Sequence, residues 1–246
     1  MPRVIARLDI KNEFVIKGIH LEGLRKIGDP IQLALNYFQH GIDEIILIDS
    51  VATLYGRNNI FETIQKACEK VFIPITIGGG IRTLDDVYKA LDSGADKVAI
   101  NTAAINNPNL IEEVASRFGS QAMVCSVEAK KISPHQWECF TDNGRESTGK
   151  MVLDWVKEAE SRGAGELLVT SVDSEGTKKG FDLELYTQLA KITSIPMIAS
   201  GGCGNLSHLE QLFTTVEVQA VALASVLHYN LLTIDEIKNA IQGVSR

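Results

Sequence analysis

Ile73-Pro74-Ile75-Thr76-Ile77-Gly78-Gly79-Gly80 returns half a chain length later as Ile195-Pro196-Met197-Ile198-Ala199-Ser200-Gly201-Gly202. Each copy is a short apolar run ending in glycines, followed by a helical pattern: Thr83 to Ser93 in the first half, Asn205 to Thr214 in the second. Another apolar run then ends in a small polar residue: Lys97-Val98-Ala99-Ile100-Asn101-Thr102, and Val218-Gln219-Ala220-Val221-Ala222-Leu223-Ala224-Ser225. Glycine at the C-terminal end of a strand lets backbone N–H groups approach a ligand, and the N-terminus of a following helix adds partial positive charge. Two such places predict two anions held at once. Plain strand-end turns, the alternative, leave the small polar residue one unit later unexplained.

Outward from these runs, strand signals recur near residues 4–9, 44–49, 73–77, 97–101, 122–128, 165–171, 196–200 and 218–223. Their near-continuous apolar character (Ile45-Ile46-Leu47-Ile48; Leu167-Leu168-Val169) indicates strands buried on both faces, as parallel strands under helices are. Helix starts fall between them: Asp29-Pro30 is an N-cap followed by a first-turn proline, and Thr83-Leu84-Asp85-Asp86 is a capped acidic first turn. Eight β/α units with a twofold internal repeat predict a (β/α)8 TIM barrel rather than an open doubly wound sheet. A length of 246 residues with 45% hydrophobic content suits one such domain, residues 1–246.

A net charge of −7 without a Lys/Arg-rich run argues against nucleic acid as a partner. Met1-Pro2-Arg3 leads straight into the strand-like Val4–Ile10, and no apolar stretch approaches the length of a membrane span, so no membrane association and a cytoplasmic location are expected. Cys68, Cys125, Cys139 and Cys203 lack CxxC spacing and read as reduced thiols within apolar segments. His40, His135 and His208 read as surface residues and His228 follows an apolar run; none has a metal partner in the sequence, and no metal or cofactor is expected.

In such barrels chemistry sits where strands end. Arg7-Leu8-Asp9-Ile10-Lys11 and Ser126-Val127-Glu128-Ala129-Lys130 place one carboxylate in each half at equivalent positions, and two separated carboxylates divide general acid from general base work. The alternative is that Asp9 and Glu128 merely pair with Lys11 and Lys130. Lys131 to Arg145, with Trp137 and Phe140 among polar residues, predicts a β-hairpin inserted after the fifth strand.

These stretches, together with Val15-Ile16-Lys17-Gly18, Gly28-Asp29-Pro30, Gly41-Ile42-Asp43-Glu44, Gly94-Ala95-Asp96-Lys97-Val98, Phe118-Gly119-Ser120-Gln121 and Gly163-Ala164-Gly165-Glu166, closely resemble the cyclase subunit of imidazole glycerol phosphate synthase, almost end to end. The resemblance implies a lyase of histidine biosynthesis working with a glutaminase subunit. Glutamine-derived ammonia would cross the barrel and react with a bis-phosphorylated ribulosyl formimino-aminoimidazole carboxamide nucleotide. It implies Asp9 as the principal general acid/base and Glu128 as the second catalytic carboxylate. One phosphate would meet Gly80, Asn101 and Thr102, the other Gly176, Gly202, Ala224 and Ser225, while Lys17, on the loop after the first strand, helps close over substrate. Arg3, Glu44, Lys97 and Glu166 would form a charged ring at the ammonia entrance, with Asp96 and Gln121 near the partner face. Three departures stand at the active mouth: Arg7 where these enzymes have Cys, Glu128 for Asp, and Glu175-Gly176 for Asp-Gly. Similar changes occur in cyclase-like relatives of surface-polysaccharide sugar amidation, which convey ammonia to another enzyme; that reading is the alternative.

Overall fold

A computed structural model describes residues 1–50 and 60–244. In chain order its strands are β1 (Arg3–Lys11), β2 (Phe14–Ile19), β3 (Glu22–Gly28), β4 (Glu44–Asp49), β5 (Ile75–Gly78), β6 (Lys97–Ile100), β7 (Met123–Ser133), β8 (Gln136–Thr141), β9 (Glu146–Met151), β10 (Glu166–Ser171), β11 (Met197–Ser200) and β12 (Ala220–Leu223). Eight of them, β1, β4, β5, β6, β7, β10, β11 and β12, pair in parallel and close on themselves through β7–β10 and β12–β1. Each falls on one of the apolar runs, and the fold is the (β/α)8 barrel.

Two hairpins decorate it. β8 and β9 extend β7 as an antiparallel flap, where the polar Lys131–Arg145 stretch predicts one. The β2–β3 hairpin is a correction: Lys17 lies on a strand rather than on a loop. Asn12 takes a left-handed φ of 55° and turns the chain back, so that Lys11 pairs with Phe14.

Alternation along the strands sorts their side chains. Outward residues such as Leu8, Leu47 and Val169 pack under the helices in the main core. Inward residues stack in layers: Arg3, Glu44, Lys97 and Glu166 at the strand N-terminal mouth, then an apolar layer including Ile5, Ile46, Val124, Leu168 and Ile198, then a polar layer at the other mouth. Two helix termini are capped as the sequence predicts, at Asp29 and Thr83, and a third cap falls at Asn205. Asp29 accepts from the Gln32 N–H at 2.8 Å ahead of the helix Pro30–Gln39, Thr83 and Asp86 form a reciprocal capping box on Leu84–Asp92, and Asn205 caps Leu206–Thr215. All four cysteines are free thiols; three are buried, and burial pushes Cys125 and Cys203 up to about 12.

Candidate active site

The strand C-terminal mouth opens into a cavity of about 340 Å³. Gly79 and Gly80, both in left-handed conformations, form its wall beside Asn101, Thr102 and Glu128. A Cβ on Gly79 would stand 2.1 Å from the Asp49 carbonyl oxygen, so only glycine lets this turn lie against β4. Gly176, Gly202, Ala224 and Ser225 line a separate, narrow cleft of about 10 Å³. The close fit there also depends on glycine: a Cβ on Gly202 would meet the Gly180 carbonyl oxygen at 1.9 Å, and one on Gly176 the Gly18 carbonyl oxygen at 2.2 Å. The two sets of glycines thus line two distinct concavities, the larger of them reached by residues of both half-barrels.

Asp9 and Glu128 are both buried, on β1 and β7. Neither relies on the neighbouring lysine. Asp9 Oδ1 accepts from Arg7 Nε at 3.0 Å, Glu128 Oε2 accepts from the Gly144 N–H at 2.7 Å, and Lys130 Nζ instead sits 4.8 Å over the Phe140 ring. Desolvation pushes the Glu128 carboxyl up to about 7, against the Gly144 hydrogen bond and the Arg7 charge, which lower it. At neutral pH it is poised between acid and base. Asp142, Asn143 and Gly144, at the tip between β8 and β9, are all left-handed, and Asn143 Nδ2 donates to the Ser50 carbonyl at 3.0 Å. This brings the flap tip over the cavity, which Asp142 and Asn143 help to line.

Lys17 is buried on β2 and ion-paired with Glu175 on the segment after β10. Desolvation, reinforced by the Arg7 charge, lowers its ammonium to about 8. The same hairpin is tied to that segment by the His20 N–H, which donates to the Glu175 carbonyl at 2.8 Å. His228 is also drawn in: its Nδ1 lies 2.7 Å from the Tyr37 hydroxyl, and burial, with the Lys17 charge, holds the imidazole down at about 4.

At the opposite mouth, Arg3 bonds Glu44 at 2.6 Å and also Glu166, while Lys97 reaches Glu166 at 2.9 Å and Glu44 at 3.5 Å. The four predicted residues thus form a closed cycle of alternating charge across the lumen. Asp96 and Gln121 are exposed; Asp96 accepts from the Ile75 N–H at 2.8 Å and Gln121 donates to the Phe118 carbonyl at 3.2 Å.

Sequence reasoning missed Ser200, His228 and Tyr37 as participants at the active mouth, and treated Glu175 only as a departure. The signal for Ser200 is alternation: on β11 it faces the lumen two residues after Ile198, as Thr170 does after Leu168 on β10. His228 and Tyr37 carry no local signal, since the packing of separate elements brings them together. Among the described residues no group of three or more His, Cys, Asp or Glu is placed to hold a metal ion, and no helix is long and apolar enough to cross a membrane.

The family described as "Histidine biosynthesis protein" matches residues 3–233. A protein of Legionella pneumophila named "Imidazole glycerol phosphate synthase subunit HisF" is 58% identical over 204 residues, covering 83% of this chain and 96% of its own length. A protein of Bacillus cereus strain Q1 with the same name is 43% identical over 243 residues, covering 99% and 96% respectively.

Proposed function

The chain belongs to the histidine biosynthesis protein family as a cyclase subunit of imidazole glycerol phosphate synthase, and from that premise we propose that Asp9 and Glu128 carry its proton transfers. The observation that carries this reading is their placement: two buried carboxylates in different environments on opposite half-barrels at one mouth. Ring formation from the ribulosyl nucleotide and ammonia releases an aminoimidazole carboxamide nucleotide and water. Protons must leave the ammonia nitrogen and reach both departing groups. Asp9 serves as the carboxylate that takes protons; Glu128 is poised to deliver and recover them near neutral pH.

Gly80, Asn101 and Thr102 take one phosphate and Gly176, Gly202, Ala224 and Ser225 the other, with Lys17 supplying a cation beside the second. A glutaminase docks over the Arg3–Glu44–Lys97–Glu166 mouth, near Asp96 and Gln121, and its ammonia travels up the lumen. Four free cysteines suit a reducing, cytoplasmic setting.

One observation favours a second reading. Arg7 occupies Asp9 by an ion pair, an arrangement that suits a cyclase-like paralogue conveying ammonia to a sugar-modifying partner without cyclising anything itself. Turnover of the ribulosyl nucleotide by the purified chain with excess ammonium salt at high pH decides between them: product formation supports the cyclase, and none from folded protein overturns it.

A further inference from the structure

Arg7 is a group at the active mouth that the acid and base roles leave unused. It stands on β1 two residues before Asp9, so both side chains turn into the lumen, and it is only 4% exposed. A buried guanidinium is costly unless acceptors meet its donors. For Nε and Nη1 they do: besides the Nε bond to Asp9, Nη1 donates to Thr170 Oγ1 at 2.7 Å and to Ser200 Oγ at 3.2 Å. Ser200 is itself fixed from behind, because its N–H donates to the Tyr186 hydroxyl at 3.1 Å and that hydroxyl donates to the Ser200 carbonyl at 2.6 Å. The strand between Arg7 and Ser200 presents Ala222, a small side chain at the register position opposite Ser200. Arg7 therefore reaches from β1 past β12 to a braced wall of β10 and β11, and its other flank lines the cavity that Glu128 also lines.

We propose that Arg7 is the positioning residue of the mouth: its fork fixes the Asp9 carboxylate against the hydroxyls of Thr170 and Ser200, and its charge is the cation that both carboxylates share. The proposal rests on Asp9 and Glu128 being the working pair, and it sharpens their division. The ion pair orients Asp9 as the acceptor of the pair, and the transferable proton resides on Glu128. The other charged and titratable groups acting on the two are Lys17 on β2, His228 after β12 and Asp142 on the flap.

The test reads the carbon-13 carboxyl resonance of Glu128 as pH is varied in the intact chain, identified by its loss in Glu128→Gln. In the unsubstituted protein the midpoint is expected at about 7. Arg7→Met should raise it by about one pH unit or more, while Arg7→Lys, which keeps the charge and loses the fork, leaves it within about half a unit. With turnover measured alongside, Arg7→Met and Arg7→Lys should both lower kcat by about tenfold or more with KM little changed, because each loses the geometry that holds Asp9. An unmoved Glu128 midpoint in Arg7→Met overturns the proposal. Should that variant fail to fold, the double variant Thr170→Val with Ser200→Ala frees the guanidinium from its anchors; a parental Glu128 midpoint and parental kcat there overturn it as well. The resonance is readable without turnover, so absence of cyclase activity in the unsubstituted chain sinks the cyclase reading and leaves the Arg7 test standing.

Discussion

The Gly144 N–H donates to Glu128 Oε2 at 2.7 Å, tying the left-handed tip of the β8–β9 flap to a carboxyl at the end of the fifth barrel strand. Because that carboxyl is pushed up to about 7 by burial, its proton is exchanged within the working pH range. For a role as proton donor the sign is fixed: activity is expected to fall as pH rises through about 7, and Glu128→Gln should lower kcat by about 10²–10⁴-fold and abolish that limb of the profile. A pH–kcat profile with the limb intact in the variant assigns it elsewhere. Glu128→Asp withdraws the carboxyl from Gly144 by about one methylene, and a displacement near 1 Å costs about 10²-fold in rate. The longer acid fits this flap, so the shorter one is expected to be slower.

Asp9→Asn removes the acceptor charge while keeping a group of similar size beside Arg7. Turnover with the ribulosyl nucleotide and ammonium should drop by about 10²–10⁴-fold, with a phosphate-bearing ligand bound as before. Comparable turnover in variant and parent takes Asp9 out of the chemistry.

His228 links the mouth to stability. The folded imidazole is held at about 4 against an ordinary 6.5, so between those values the unfolded chain binds a proton that the folded chain refuses. Stability therefore falls as pH drops through this window, by up to about 3 kcal/mol when the full shift is counted. Urea unfolding midpoints at pH 7 and near pH 4 check it. The difference between the two should shrink in His228→Gln, and an equal difference in both proteins would remove His228 as the cause.

What the chain reveals before folding divides by range. Apolar runs, glycine ends and helix caps are local, so all eight barrel strands and the caps at Asp29 and Thr83 are read from neighbouring residues. The placement of Asp9 and Glu128 at one mouth follows from the fold's polarity. Their partners do not. Arg7 with Thr170 and Ser200, and Tyr37 with His228, meet only after the barrel closes, and Lys17 is read as a loop residue because its partner Arg25 lies on β3, beyond a turn at the left-handed His20 and Leu21. The same closure assembles the charged ring from four separate strands, and the family resemblance, not periodicity, singles out its members.

That ring supplies the last expectation. Lys97 bonds Glu44 and Glu166, whose side chains are only 8% and 7% exposed, and Arg3 completes the cycle. As a purely stabilising cluster it would resemble other partly exposed ion pairs, which contribute about 0–1 kcal/mol each. It lies at the far end of the lumen from Asp9 and Glu128, separated from them by the apolar layer around Ile5, Ile46 and Leu168, so it has no contact with the reacting atoms. Lys97→Ala leaves two buried carboxylates sharing one cation, which disturbs the strand N-terminal mouth but not the strand C-terminal one. Activity supported by added ammonium, which reaches the mouth from solvent, should change by less than about twofold, whereas glutamine-supported activity with a docked glutaminase should lose about tenfold or more, or decouple glutamine hydrolysis from product. Equal losses with both nitrogen sources, in protein that remains folded, would reduce the ring to a structural cluster and take away the physical basis for ammonia entering at that end.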